Sequence, residues 1–301
     1  MKGLQCHELI GLEPGFLEDV APCYGVIFLF KYPTDKPYRA TDKPLDGEFD
    51  YDASERLFFA AQTIQNACST QALLSVALNM EDLEGSQAGS VDLGGTLKEF
   101  REFTMALPPE FRGEALSNSE RIRDVHNSFA RSSPFVDETQ RQPDEDADAF
   151  HFIAYAPVNG VLYELDGLQP APISHGACAP GEFPTKVIDV LRRRVERHGV
   201  LEITFNLLAV VRDLRELARE FGDMEMLDRE VARRKEWQFE NALRRHNFIG
   251  FATEVLKGVT KAKLGEGDEA YDKWIDQAKE KQKKQMEARR KQGSEDVEMG
   301  E

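Results

Sequence analysis

Several features that define large classes of protein are missing from this sequence. No run of about 18 apolar residues occurs, which excludes a transmembrane helix. Residues 1–8 contain no apolar signal core, which argues against secretion. The four cysteines form no C-x-x-C pair, so we expect reduced thiols rather than a structural zinc site. We therefore expect a protein without membrane contact, metal or cofactor.

Basic residues are also scarce relative to acidic ones. The chain has 38 Lys and Arg residues against 54 Asp and Glu residues, which gives a formal net charge of −16. Nucleic-acid binding needs a basic face that releases counterions from phosphates, so this charge argues against it. An acidic surface favours a basic protein partner or substrate. The length of 301 residues allows one large domain or two unequal ones.

Apolar patterns over roughly the first 220 residues mix strands with helices, which predicts one α+β domain. The predicted strands are residues 25–30, 150–155, 161–165 and 202–211. The predicted helices are residues 67–80, which are apolar on nearly every face, and residues 187–198, which are basic. Asn159-Gly160 between two of the strands is a strong signal for a hairpin turn.

Two stretches between these elements have the character of caps or loops. Ser117 with Glu120 three residues later has capping-box spacing, so we predict that Ser117 begins a helix that runs to Phe129. Residues 131–149 contain almost nothing apolar. Such a long polar stretch is typical of a lid, a binding loop or a disordered insert.

The C-terminal part of the chain contains no strand pattern. We predict helices broken near Gly222 and Gly250, followed by a basic helix over residues 279–291. The last eight residues carry four acids and no base, and we expect them to be disordered. This shift in composition divides the chain into residues 1–221 and an all-helical extension over residues 222–301.

Four residues in the first part could form a site for nucleophilic catalysis. Cys68 falls where the core helix should begin, and a helix N-terminus stabilises a thiolate. His151 at the start of a strand could take the thiol proton and return it to a leaving amine. Asp166 ends the next strand and could orient the imidazole. Gln62 could complete an oxyanion hole with the Cys68 N–H group.

Each of these residues also has a simpler interpretation. A lone cysteine in an apolar helix is more often a buried core residue, and a lone histidine at a strand start is more often structural. Asp166 before Gly167 is typical of a turn, and Gln62 alone indicates nothing. Spacing alone therefore leaves both interpretations open.

The segments around these positions resemble the ubiquitin carboxyl-terminal hydrolase family. The matching segments, in the order of the family, are residues 25–31, 62–72, 115–119, 125–130, 149–152 and 162–167. The resemblance implies a papain-like, knotted α+β fold that performs thiol-dependent hydrolysis at the C-terminal glycine of ubiquitin, a deubiquitinase activity. The implied roles are nucleophile for Cys68, general base and acid for His151, orienting carboxylate for Asp166 and oxyanion donor for Gln62. Residues 131–149 would be the loop that crosses over the active site.

The helical extension resembles that of the long, proteasome-associated member of the family, through residues 239–248 with Phe251, Leu256 and Lys257. The implied partners are ubiquitin and its conjugates, together with the proteasomal ubiquitin receptor, which residues 222–291 would bind. The resemblance also implies residence in the cytoplasm and the nucleus. The alternative for the extension is a solvated, charged helical segment.

Two other functions compete with this interpretation. The chain begins within sequence that is internal in the family, so we expect the family's opening segment to be absent from it. That expectation keeps open a catalytically impaired ubiquitin-binding scaffold. A redox-sensing protein is a third, weaker hypothesis, because no resolving cysteine lies near Cys68 in the sequence.

Overall fold

The computed structural model describes residues 1–32, 43–80, 91–129, 149–179, 181–197 and 205–298. The chain divides into two compact units, of which the first reaches Leu243 and the second holds the chain from Arg244 onward. The first unit contains both sheet and helices, and the second is helical over its described residues. Within the described ranges, no helix is long and apolar enough to cross a membrane.

A seven-stranded sheet forms the framework of the first unit. Its strands are β1 (Leu4–Leu9), β2 (Cys23–Tyr32), β3 (Glu48–Phe49), β4 (Ala149–Val158), β5 (Val161–Leu165), β6 (Ile173–Ala177) and β7 (Phe205–Arg212). Neighbouring strands pair antiparallel in the order β1-β7-β2-β4-β5-β6-β3. All four predicted strands are present, and residues 202–204 at the start of the last one lie outside the described ranges.

The predicted hairpin turn joins β4 to β5. Asn159 and Gly160 have φ angles of 50° and 76°, and the flanking residues Val158 and Val161 pair directly. Positive φ at both positions is the conformation that Asn-Gly favours in two-residue hairpins. This turn sets the register of β5 against β4.

Helices cover both faces of the sheet. The helices in the described ranges are α1 (Pro14–Glu18), α2 (Ala53–Arg56), α3 (Cys68–Ala77), α4 (Gly95–Met105), α5 (Pro109–Asn118), α6 (Glu120–Asn127), α7 (Phe183–Arg197), α8 (Leu214–Phe221), α9 (Met224–Arg245), α10 (Ile249–Gly265) and α11 (Asp268–Glu298). α1 and α7 pack in one apolar cluster with Val26 and Phe28 of β2, whereas α3 packs in another with Ile27. β2 is therefore buried on both faces, as its continuous apolar sequence predicts.

The helix predicted to lie in the core does so. α3 packs against β2 and β4 and buries Ala72, Val76 and Ala77 almost completely. Gly25 on β2 permits this approach, because a Cβ atom there would lie 2.8 Å from both methyl groups of Val76. The close packing sets the position of the first residue of the helix, Cys68.

The predicted helix start at Ser117 is wrong. α5 continues beyond this residue, and the Ser117 hydroxyl donates to the Gly113 carbonyl oxygen within that helix at 2.9 Å. Ser119 is the N-cap of α6 instead, and its hydroxyl accepts a hydrogen bond from the Ile122 N–H group at 3.5 Å. α5 extends past the predicted start because Leu116 in its last turn is buried in an apolar cluster. Capping-box spacing does not report such burial.

The C-terminal helices break near both predicted positions. Gly222 ends α8 in the left-handed conformation with a φ angle of 71°. The second break lies between Arg245 and Ile249, just before Gly250. There the Asn247 side chain accepts a hydrogen bond from the Ile249 N–H group at 2.9 Å.

α11 extends as far as Glu298, and the expected disorder of the acidic tail stays a prediction. Acidity alone does not stop a helix, because each further residue adds a backbone hydrogen bond and no proline interrupts the segment. Residues 299–301 lie outside the described ranges. The predicted crossover loop over residues 131–149 also lies outside them, except for its last residue, which begins β4.

The domain boundary between residues 221 and 222 stays a prediction. The first compact unit extends to Leu243 because polar contacts tie α9 to β1 and to the start of α8. Arg234 Nη2 donates to Gln5 Oε1 at 2.9 Å, and Gln5 Nε2 donates to Glu230 Oε2 at 3.4 Å. Arg234 also pairs with Asp213 at 3.0 Å. The first half of α9 therefore packs within the first unit.

A buried arginine anchors the segment that leads to α3. Arg112 on α5 is 2% exposed, and its guanidinium donates to backbone carbonyl oxygens at 2.8 to 3.3 Å. The accepting residues are Leu57, Phe59, Thr104, Met105 and Leu107. One side chain thus joins α5, the end of α4 and the strand-like segment after α2.

We expect Arg112→Met to lower the free energy of unfolding by about 3 kcal/mol, because a buried carbonyl that loses its donor costs about 1–3 kcal/mol. Urea unfolding followed by circular dichroism measures the change. Arg123→Met on the exposed surface of α6 is the matched control. Equal midpoints for the two variants would show that the carbonyl contacts contribute nothing.

Candidate active site

The predicted nucleophile is the first residue of α3. Cys68 follows a 3₁₀ turn over Gln65–Ala67, and no side chain caps the helix at this point. Hydrogen bonding from the Ser69 backbone N–H group lowers the pKa of the Cys68 thiol. The positive end of the helix dipole and this N–H group both stabilise a thiolate.

The histidine reaches the thiol from the sheet. His151 lies near the start of β4, the strand on which α3 packs, and its side chain is hydrogen-bonded to the Cys68 thiol. The neighbouring Phe152 N–H group also donates to the Cys68 sulfur. The packing of helix on strand thus joins two residues that are distant in the sequence.

The carboxylate holds the other side of the imidazole. His151 Nε2 lies 2.7 Å from Asp166 Oδ1, and the two residues are 3% and 1% exposed. Asp166 follows the last residue of β5, and the same oxygen accepts the Leu168 N–H group at 3.0 Å. Because Nε2 donates to the carboxylate, Nδ1 is the nitrogen left for the thiol.

Hydrogen bonding sets the charges of this cluster. Burial alone would raise the pKa of the Cys68 thiol, but the hydrogen bonds from His151 and the backbone outweigh it, so the pKa lies below its ordinary value. Burial alone would lower the pKa of His151, but hydrogen bonds with Asp166 and Cys68 raise it to about 9. Both shifts favour the form of the pair in which a thiolate lies beside an imidazolium.

The fourth predicted residue lies next to the carboxylate turn. The Gln62 N–H group donates to the Gly167 carbonyl oxygen at 2.7 Å, one residue after Asp166. Gln62 is half-buried. The structure thus brings its backbone to the site, and the role of its amide as an oxyanion donor stays a prediction.

A buried glutamine that sequence reasoning missed lies beside this turn. Gln71 on α3 is 6% exposed, and its amide donates to the Ala60 carbonyl oxygen. A Cβ atom on Gly167 would lie 2.0 Å from Gln71 Nε2, so a side chain there would displace the Gln71 amide from this hydrogen bond. The signal was available, because a glutamine on an otherwise apolar helix needs a partner when it is buried.

The helix that carries the nucleophile also borders an apolar cavity of about 760 Å³. Ser69 and Thr70 line it on α3, together with residues of α4 and α6. Thr70 Oγ1 lies 2.8 Å from His126 Nδ1, which ties α3 to α6 along the cavity wall. Apolar surface thus begins one residue from Cys68.

A cysteine at a helix start, paired with a histidine that a buried carboxylate orients, defines a cysteine-type hydrolase. No group of metal ligands accompanies it among the residues that the structure describes. This arrangement splits an acyl bond through a covalent thioester.

Comparison with known proteins specifies the class. Residues 1–196 match the family "Ubiquitin carboxyl-terminal hydrolase, family 1", and residues 224–264 match a second family described as "Ubiquitin carboxyl-terminal hydrolases". Ubiquitin carboxyl-terminal hydrolase 2 of Schizosaccharomyces pombe is 44% identical over 88% of this chain and 86% of its own length. Ubiquitin carboxyl-terminal hydrolase ubh-4 of Caenorhabditis elegans is 36% identical over 93% of this chain and 87% of its own.

A solved structure is also similar to this chain. The catalytic domain of Trichinella spiralis UCH37, bound to ubiquitin vinyl methyl ester, is 38% identical, with a TM-score of 0.55 over 70% of this chain and 86% of that one. The chain belongs to the ubiquitin carboxyl-terminal hydrolase family. It is a cysteine-type deubiquitinase, and the fold class predicted from its motifs is confirmed.

We expect iodoacetamide to alkylate Cys68 at pH 7 at least about tenfold faster than the other three cysteines, because only thiolates react. Burial raises the pKa of Cys178, and it raises that of Cys23 to about 12. Peptide mass spectrometry after timed alkylation measures the four rates. His151→Ala should slow the reaction of Cys68, and an unchanged rate would contradict the ion pair.

Hydrolysis, unlike alkylation, has a defined upper pH limit. The folded protein raises the pKa of His151, so the imidazolium is fully present at pH values below the ordinary pKa of histidine. It is lost as the pH rises through about 9. Hydrolysis needs the imidazolium to protonate the leaving amine, so kcat should fall above about pH 9 while alkylation of the thiolate continues.

Proposed function

We propose that this chain hydrolyses the bond at the C-terminal glycine of ubiquitin through a thioester on Cys68. The thiolate attacks the glycine carbonyl carbon, and His151 gives its proton to the leaving amine as the C–N bond breaks. Water then attacks the thioester with His151 as base, and ubiquitin leaves with a free carboxylate. The continuous hydrogen bonding from Cys68 through His151 to Asp166 carries this proposal.

Asp166 and Gln62 assist this reaction without forming a bond to the substrate carbon. Asp166 holds the imidazole in the tautomer that presents Nδ1 to the thiol and stabilises its positive charge. Gln62 donates its side-chain amide to the oxyanion of the tetrahedral intermediate, together with the Cys68 N–H group. The position of Gln62 beside the Asp166 turn supports this assignment.

The relatives and the net charge of the chain support ubiquitin as the substrate. The Trichinella spiralis UCH37 domain binds ubiquitin vinyl methyl ester in its crystal structure. The net charge of −16 suits a basic protein partner. We therefore take ubiquitin and its conjugates as the substrates of this chain.

The second unit supports a recruitment role. α10 exposes large apolar side chains, namely Phe251, Val255, Leu256, Val259 and Leu264. Exposed apolar residues grouped on one helix mark a protein interaction site. We propose that residues 222–291 bind the proteasomal ubiquitin receptor, which brings the hydrolase to ubiquitin conjugates in the cytoplasm and the nucleus.

We expect a ubiquitin probe with a C-terminal electrophile to label the chain covalently at Cys68. Cys68→Ala should abolish labelling, and His151→Ala should reduce hydrolysis of a fluorogenic ubiquitin amide by about 10³-fold or more, because it removes the base. Intact-mass spectrometry detects the adduct. Cys6→Ala, which removes an exposed thiol on β1, is the matched control and should label normally.

Absence of an adduct on a folded native chain, with ubiquitin still bound, would instead establish the non-catalytic scaffold. Binding is measured by titration of labelled ubiquitin against the Cys68→Ala variant. This pair of measurements separates a failed reaction from a failed interaction.

We expect Phe251→Glu with Leu256→Glu to lower affinity for the proteasomal ubiquitin receptor by about 10²-fold or more, because each substitution buries a charge in the interface. Isothermal titration calorimetry measures the affinity. Phe221→Glu, at a residue 76% exposed outside the extension, is the control and should bind normally. Equal affinity for both variants would exclude α10 from the interface.

A further inference from the structure

A buried charged cluster lies next to the active site. Arg194 on α7 donates through Nη1 to Glu164 Oε1 at 2.6 Å and to the Tyr155 hydroxyl at 3.1 Å. The Tyr155 hydroxyl donates to Glu164 Oε2 at 2.9 Å, and His175 Nε2 lies 3.3 Å from the same oxygen. Arg194 is 7% exposed and Glu164 is 4% exposed. None of these side chains takes part in the reaction described above.

The cluster keeps a permanent cation at a defined place in the core. Burial alone would raise the pKa of Glu164, but the charge of Arg194 and the hydrogen bond with His175 hold it at about 2. Both partners are therefore charged at every working pH. A buried ion pair of this kind gives little net stability, because desolvation offsets the attraction. A contact that the fixed guanidinium makes can therefore matter more than the stability that the ion pair adds.

That contact is an aromatic ring beside the catalytic histidine. The guanidinium carbon of Arg194 lies 5.0 Å from the centre of the Phe30 ring, over its face. Phe30 is the cross-strand partner of His151 between β2 and β4. The Phe30 and His151 rings meet edge to face at 79°, with centres 6.0 Å apart.

We propose that Arg194 is a positioning residue for the hydrolase: it holds the Phe30 ring, and Phe30 holds the His151 imidazole in the plane that reaches both Cys68 and Asp166. Hydrogen bonding with Asp166 and Cys68 holds the two ring nitrogens of His151. The edge-to-face contact with Phe30 restrains the ring plane in addition. The inference rests on the proposed role of His151 as base and acid.

The test is a double-mutant cycle on purified full-length chain. Arg194→Met combined with Glu164→Gln removes both charges together and leaves neither buried alone. We expect this pair, and separately Phe30→Leu, to lower kcat on a fluorogenic ubiquitin amide by about tenfold with KM unchanged, because transition-state alignment is lost and substrate binding is not. Combining all three changes should lower kcat no further, because Arg194 acts through Phe30.

Controls separate positioning from general destabilisation. Arg193→Met removes the neighbouring arginine of α7, which pairs with Asp46 at the surface, and should leave kcat unchanged. Arg194→Lys keeps the cation and should retain most of the activity. Full additivity of the cycle, or kcat near the native value in the charge-free pair, would overturn the proposal. If the charge-free pair does not fold, native activity in Phe30→Leu would overturn it and a selective kcat loss there would support it.

Failure of the proposed function would be visible separately. If the native chain does not hydrolyse the ubiquitin substrate, the same variants are compared by the alkylation rate of Cys68 at pH 7. That rate depends on the ion pair with His151 and needs no ubiquitin. A slower rate in Phe30→Leu and in the charge-free pair, but not in Arg193→Met, would support positioning; equal rates would overturn it.

Discussion

The packing of α3 against the centre of the sheet is the constraint on which the rest of the structure depends. The helix approaches β2 closely where Gly25 leaves room for Val76, and this contact brings the start of α3 to the start of β4. Cys68 and His151 meet there. The hairpin between β4 and β5 then sets the register that brings Asp166 to the other side of the imidazole. A shift of one residue in either contact would separate the three groups.

Buried polar groups in the first unit surround the catalytic cluster and are satisfied by specific partners. Arg112 and Gln71 both hold the segment between α2 and α3 through its carbonyl oxygens. Arg194 of α7 pairs with Glu164 on the face of the sheet opposite α3, and Arg194 lies against Phe30. Each of these groups costs desolvation free energy and recovers it only in one geometry. They specify where the catalytic segments lie, and the apolar clusters supply most of the stability.

The second unit differs from the first in the apolar surface that it exposes. Its helices leave large apolar side chains exposed on α10, whereas the first unit contains three clusters of buried apolar residues. A pair of helices has little interior of its own to fill. An apolar face of this kind gains free energy when a partner covers it, which is why the extension suits a recruitment role better than a catalytic one.

The sequence by itself determined the order and type of the main elements and the chemical identity of the site. The apolar run of β2, the buried helix α3 and the Asn159-Gly160 turn are local patterns, and the motifs around Cys68, His151, Asp166 and Gln62 carry the family resemblance. The tertiary structure alone decided that Ser119 caps α6, that Gln71 lies against Gly167 and that Arg194 reaches Phe30. The contacts of Gln71 and Arg194 join residues distant in the chain, and local periodicity reports which face of an element is apolar but not which neighbour covers that face.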